Sequence, residues 1–172
     1  MTDPIQPQNS FEASLTLQAI NPLITSTIDV FDMMLMARAH RRKLEPISEG
    51  TQFYPLNTVI DFSGKLDGRI CISMPERTAI VAVARLLDQA CDSQINERHL
   101  DAISELANII AGGAKKNLEK FEMSLTPPRI ILQQQVRDFP PNSYPMLLRF
   151  SSDIGPLLIA FALCPSNVET IA

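Results

Sequence analysis

The stretch Asn96–Phe121, NERHLDAISELANIIAGGAKKNLEKF, reads as one long helix whose two faces do different work. Leu100, Ile103, Ala107, Ile110, Ala114, Leu118 and Phe121 recur at steps of three and four, the spacing of a buried stripe. Asn96 is the expected N-cap, and Glu97 suits the first turn. At about 100° per residue, Asp101, Glu105, Asn108, Gly112 and Glu119 gather on the side away from that stripe. A carboxylate is followed one turn later by a carboxamide, and a turn after that by a residue with no side chain. Glu105 and Asn108 point the same way and can meet one partner together. Each glycine inside a helix costs about 1 kcal/mol relative to Ala, a cost best carried where something must come close. Gly112 shares the Glu105–Asn108 face and leaves room for a partner's backbone. Gly113 turns further round, towards helix packing.

Upstream, Ser73-Met-Pro-Glu76 has the form of a capping box that opens a helix from Pro75 to about Gln89. That helix is apolar nearly all round, which implies burial on more than one side. A polar joint from Cys91 to Asn96 separates the two helices. Before them, Thr58–Ser63 and Arg69–Met74 read as a hairpin turned by Gly64, Asp67 and Gly68. Asn21-Pro22 reads as a helix start, with one apolar side through Leu23, Ile24, Ile28, Phe31, Met34 and Leu35. His40, Arg41, Arg42 and Lys43 close that helix, where basic side chains suit the dipole. The same cluster is a candidate docking patch for an acidic partner. Residues 1–19 are expected to be a loosely ordered lead-in, with Phe11–Ile20 open to either a strand or the approach to the helix. Downstream, Arg129–Gln134, Pro145–Ser152 and Leu157–Cys164 are strand candidates, the last a continuous apolar run expected to be covered on both faces. Grouped helices and grouped strands predict an α+β fold, an antiparallel sheet with long helices packed on it. A helix followed by strands occurs twice, a faint internal pseudo-repeat. Residues 20–172 are expected to form a single domain.

The totals exclude several classes. The 172 residues suffice for one sizeable core, and 45% are hydrophobic, so the chain is expected to be globular. A net charge of −4 argues against non-specific nucleic-acid binding. The apolar run Leu157–Cys164 is too short to span a bilayer, so no membrane insertion is expected. MTDPIQPQ carries no basic-then-apolar signal, and Cys71, Cys91 and Cys164 show no CxxC; a reducing cytoplasm is the expected setting. His40 and His99 are far from each other and from any Cys, so no metal-ligand spacing is present. No GxSxG, GxGxxG or GxxxxGK[ST] occurs.

The remaining chemistry lies on the exposed face of the long helix. Glu105 is an acceptor suited to a partner's Lys. Asn108 can orient a water without ionising, as a Gln does in some GTP-hydrolysing enzymes. An isolated E-x-x-N pair also arises by chance and then describes an ordinary solvated face. The wider stretch Ser104–Ala114, with Asn117-Leu118 after it, resembles the signature helix of the CheC/CheX/FliY family of bacterial chemotaxis phosphatases. In that family the helix carries Glu-x-x-Asn, an apolar pair, then Ala-Gly. Asn21-Pro22-Leu23-Ile24, with Val30-Phe31 further on, is similar to the opening of its CheX branch. The resemblance spans Ile20 to Cys164 and implies hydrolysis of the aspartyl phosphate of a CheY-like receiver domain. It implies that Glu105 pairs with a Lys of the regulator and that Asn108 positions the hydrolytic water. Asp101 and Gly112, on the same face, are the expected contacts to the partner. The resemblance implies no cofactor of the chain's own, Mg2+ held by the regulator, a pseudo-twofold build, and a homodimer joined through sheet edges. The first helix carries no Glu-x-x-Asn, so one active site per chain is expected. The alternative is a non-catalytic protein, binding receiver domains or forming a dimeric scaffold in a signalling assembly.

Overall fold

The architecture comes from strands that pair far along the chain beneath two long helices. The computed structural model describes residues 7–116, 118–131 and 136–166, and for residues 7–13 the backbone alone. In chain order the elements are α1 (Pro7–Leu35), β1 (Ala39–Pro46), β2 (Leu56–Ser63), β3 (Leu66–Met74), α2 (Glu76–Leu86) and α3 (Glu97–Lys116). A 3-10 turn (Glu119–Phe121) leads to β4 (Ser124–Leu125), β5 (Arg129–Ile131), β6 (Met146–Ser152) and β7 (Leu157–Pro165). Among the described residues the strands form one antiparallel sheet in the order β1-β6-β7-β3-β2-β4, with β5 also paired to β2. The expected hairpin is β2–β3, with β6–β7 its counterpart, but its turn is only Gly64-Lys65: Asp67 and Gly68, expected in the turn, are already paired residues of β3.

Period-two alternation divides the sheet's two faces. Ile70 and Ile72 of β3 and Leu157, Ile159, Phe161 and Leu163 of β7 join the main core with α1 and α3. The Phe62 and Phe161 rings meet edge to face, with centroids 6.2 Å apart. Val59, Cys71, Leu147, Leu158 and Ala160 point the other way and gather a second cluster with Phe53 and Val136. The strand β7 is therefore covered on both faces, as its unbroken apolar run requires.

The faint repeat has a structural form. The units α1-β1-β2-β3 and α3-β5-β6-β7 each supply a helix, a first strand and a hairpin, and β3 pairs with β7 at the centre. Each unit lends its first strand to the other, since β1 pairs with β6 and β5 with β2.

Several local expectations are corrected. The first helix starts at Pro7 rather than Asn21, so the described part of the expected loose lead-in is helical and Asn21-Pro22 lies in the helix interior. Residues 1–6 of that lead-in lie outside the described residues. The helix ends at Leu35, not Arg41, because Met36 turns to φ 45° and Ala37 N–H donates back to the Phe31 carbonyl at 2.9 Å. Arg85 of α2 then donates to the carbonyls of Leu35 and Met36. His40–Lys43 consequently lie on the edge strand β1 with exposed side chains. Ser73 is not a helix cap: it belongs to β3, its Oγ accepts from Tyr54 N–H at 2.8 Å, and α2 is capped by Pro75 without a side-chain bond. The long helix ends at Lys116, so Glu119 and Phe121 belong to the turn beyond it. The end of the Arg129–Gln134 strand candidate and Asn117 lie outside the described residues.

Candidate active site

Asn96 opens α3 as expected. Its Oδ1 accepts from His99 N–H at 3.2 Å, and the buried His99 ring returns to Asn96, its Nδ1 accepting from Asn96 N–H at 3.3 Å. His99 thus stands where a capping box places Glu or Gln. Ile103, Leu106, Ala107, Ile110, Ala111 and Ala114 turn into the core, which fixes the opposite face towards solvent. On that face Asp101 and Glu105 are exposed, and Asn108 and Gly112 are half-buried. The structure thereby brings together Asp101, Glu105, Asn108 and Gly112 on successive turns. Neither Glu105 nor Asn108 has a hydrogen-bond or ion-pair partner among the described residues. A carboxylate and a carboxamide with spare capacity stand side by side, available to something outside the chain.

The two glycines divide as their angular positions predict. A Cβ placed on Gly112 would meet nothing within 4 Å. One placed on Gly113 would lie 2.2 Å from Ser26 Oγ of α1. Ser26 in turn donates to the Ile110 carbonyl at 2.8 Å, so the helices cross closely there. Gly113 serves packing, and Gly112 keeps ground open beside Asn108.

That ground continues into a groove of about 510 Å3 between α1 and α3. Asp29, Val30 and Met33 of α1 line one wall, and Ile109, Gly112 and Lys116 line the other. Met33, a lining residue, is 73% exposed. Sequence reading missed Asp29 and Met33 as members of this surface. Periodicity within α1 gave no sign, because which α3 residues it meets is a tertiary fact.

Comparison with known proteins identifies the family and the fold. The family model described as chemotaxis phosphatase CheX matches residues 56–151, a span that contains α3 and its exposed face. A Thermotoga maritima protein named CheY-P phosphatase CheX is 27% identical over 132 residues, covering 76% of this chain and 83% of the relative. The crystal structure of CheX from Vibrio vulnificus superposes with a TM-score of 0.77 at 20% identity, over 86% of this chain and 99% of that one. The CheX of the CheX–CheY–BeF3–Mg2+ complex from Borrelia burgdorferi gives 0.69 at 22% identity, over 84% and 97%. Likeness at such identities speaks for the fold, while the family model spans more than half of the sequence: the chain belongs to the chemotaxis phosphatase CheX family.

Proposed function

We propose that this chain accelerates hydrolysis of the aspartyl phosphate on a CheY-like receiver domain, working from the exposed face of α3. The observation that carries the reading is the pairing of Glu105 with Asn108, both unpartnered among the described residues, above the open ground at Gly112. Support comes from the Thermotoga maritima relative, which is named for acting on CheY-P, and from the Borrelia burgdorferi CheX, which was solved bound to CheY.

Each residue has a distinct task. Glu105, exposed and anionic, accepts from a Lys ammonium beside the regulator's phosphorylated aspartate and fixes the register of docking. Asn108 reaches into the regulator's site, where its amide accepts from and donates to water so that the oxygen faces phosphorus opposite the acyl oxygen. The new P–O bond forms as the acyl P–O bond breaks, and the electron pair leaves with the regulator's carboxylate. Asn108 takes no proton; its contribution is alignment, which is most of what phosphoryl transfer asks of a protein. Gly112 admits the partner's backbone, and Asp101 adds negative charge one turn before Glu105. Mg2+ belongs to the receiver domain on this reading and supplies charge neutralisation at the phosphoryl oxygens. Among the described residues no group of three or more His, Cys, Asp or Glu side chains is arranged to hold a metal.

The chain works in the cytoplasm beside its regulator on this reading, and no described helix is long and apolar enough to cross a membrane. Two copies pair along the outer edge of β1, which has no strand partner among the described residues; sedimentation at micromolar concentration tests that pairing. The activity is tested by following phosphate loss from the host's receiver domains with and without the protein. Asn108→Ala is expected to slow the stimulated loss by about 100-fold or more while leaving the thermal midpoint unchanged. Tight binding to the phosphorylated regulator with no faster phosphate loss would identify a receiver-binding module instead.

A further inference from the structure

The exposed face of α3 does not stop at Gly112. Lys116 follows Glu105 by eleven residues, three turns of helix to within about 20°, so it stands on the same line. Its side chain is exposed and has no hydrogen-bond or ion-pair partner among the described residues. Lys116 and Asp29 carry opposite charges and line one groove, yet no ion pair joins them. An exposed pair contributes at most about 1 kcal/mol, so both charges stay available to a partner at little cost to the fold.

Gly112 belongs to two surfaces at once. It is the bare position beside Asn108, and it lines the groove between α1 and α3. A partner that reaches Asn108 therefore already stands at the mouth of that groove. Specific protein complexes bury about 800 Å2 on each partner and draw on about 20 residues or more a side. Such a patch is about 30 Å across, whereas Lys116 lies about 12 Å along α3 from Asn108. A regulator centred on Asn108 covers the groove as well. The groove offers apolar ground through Val30, Ile109 and Met33, with Lys116 on one wall and Asp29 on the other.

We propose that this groove selects the regulator: Lys116 pairs with a carboxylate on a segment beside the receiver domain's phosphorylation site, and Met33 and Ile109 cover an apolar side chain of the same segment. The inference rests on the reading of Glu105 and Asn108 given above. Those two residues address the phosphorylation site, the part of a receiver domain that its chemistry dictates. The groove addresses the surface next to it, which that chemistry leaves free to differ from one regulator to another. Glu105 takes a cation and Lys116 an anion, about 16 Å apart along α3, so a regulator turned end for end meets like charges. Asp29 repels a carboxylate seated against the α1 wall, which fixes the same direction a second time. Lys116 touches neither phosphorus nor the attacking water, so its effect falls on docking and not on the chemical step.

The test follows phosphate loss in single turnover from the receiver domain on which the wild-type chain acts, phosphorylated with acetyl phosphate, as the chain's concentration is raised. Lys116→Gln is expected to raise the half-saturating concentration about threefold and Lys116→Glu about tenfold, each with the maximal rate unchanged. Met33→Gln is expected to raise it about threefold. Arg98→Glu makes the same charge change on the same line of α3, seven residues before Glu105, and is expected to shift it less than twofold. Equal shifts for Arg98→Glu and Lys116→Glu would mark general attraction between the two proteins and overturn the contact. Reversing the regulator's acidic side chains one at a time, within about 15 Å of the phosphorylated aspartate, is expected to find one that restores Lys116→Glu; no rescue by any of them overturns the pairing. Lys116 also lies in the last turn of α3, where a cation suits the helix dipole. That role alone lowers the thermal midpoint of Lys116→Gln and leaves half-saturation unmoved, an outcome that overturns the proposal and keeps the α3 reading. Wild type without acceleration on any receiver domain removes the α3 reading and this proposal with it.

Discussion

Gly112 and Gly113 are neighbours in sequence with opposite surroundings, and substitution separates them. Gly112→Ala introduces a methyl into open space and improves helix propensity, so it is expected to stabilise the chain by about 1 kcal/mol in chemical denaturation. On the proposed docking of the regulator over α3 the same methyl would stand in its path, so stimulated dephosphorylation should fall as stability rises. Gly113→Ala drives a methyl onto Ser26 and its bond to Ile110, and is expected to destabilise by about 1–3 kcal/mol. A Gly112→Ala variant that is both less stable and fully active would reverse these roles. The thiols give a second check at this scale. Cys71 is buried and its thiol is pushed up to about 12, mainly by desolvation, and Cys164 is buried as well. Cys91 is exposed, so a thiol reagent at pH 8 should label it fast and reach the other two only on denaturation. The candidate site was legible in the sequence because helical period assigns faces without tertiary knowledge. It placed Asp101, Glu105, Asn108 and Gly112 together, and gave the separate orientation of Gly113. Asp29 and Met33 were not legible, because their place depends on how α1 crosses α3.

Elements failed to announce themselves where distant partners define them. The sequence of β1 is AHRRKLEP, with little strand propensity, and it is extended because β6 pairs with it. Its charges suit an edge strand, which they shield from stray pairing. Asn21-Pro22 has the signature of a helix start, yet Leu15, Ala19 and Ile20 ahead of it bury against the core and carry α1 through. Tertiary burial outweighs the local stop signal there. The junction between α1 and β1 is also tied from afar. Asp153, in the β6–β7 turn, accepts from Arg38 N–H at 2.9 Å and lies 3.4 Å from Arg85, which holds the last carbonyls of α1. Desolvation pushes the Asp153 carboxyl up, but the N–H groups of Arg38 and Asp153 and the Arg85 guanidinium outweigh it and leave it below its ordinary value. A carboxyl depressed on folding contributes stability above its unfolded pKa and loses that contribution as pH falls through the folded value. Asp153→Asn is therefore expected to lower the thermal midpoint at pH 7, with the gap to wild type closing as the pH falls below about 4. A gap independent of pH would show that the side chain's shape, rather than its charge, holds the junction.

At the scale of the molecule, the exchange of β1 and β5 makes each half incomplete without the other. The first half alone would leave β1 with no β6 to pair with, and β2 with an open edge where β5 belongs. The second half would lack β3, the central partner of β7, and expose the apolar row Ile159, Phe161 and Leu163. The helices repeat the dependence, since Ser26 of α1 and Gly113 of α3 close on each other. Such a chain has one core shared by both repeats, so unfolding should be a single cooperative transition despite the internal duplication. The joint at Cys91–Gln94 is exposed and joins the halves without belonging to the sheet. Two fragments divided there, residues 1–92 and 93–172, are each expected to lack a cooperative thermal transition. Mixed in equal amounts, they should recover most of the intact far-UV circular dichroism and a concentration-dependent midpoint, because each then supplies the strand the other borrows. A fragment that folds cooperatively by itself would show that the repeats are independent domains and that the exchanged strands are dispensable to them.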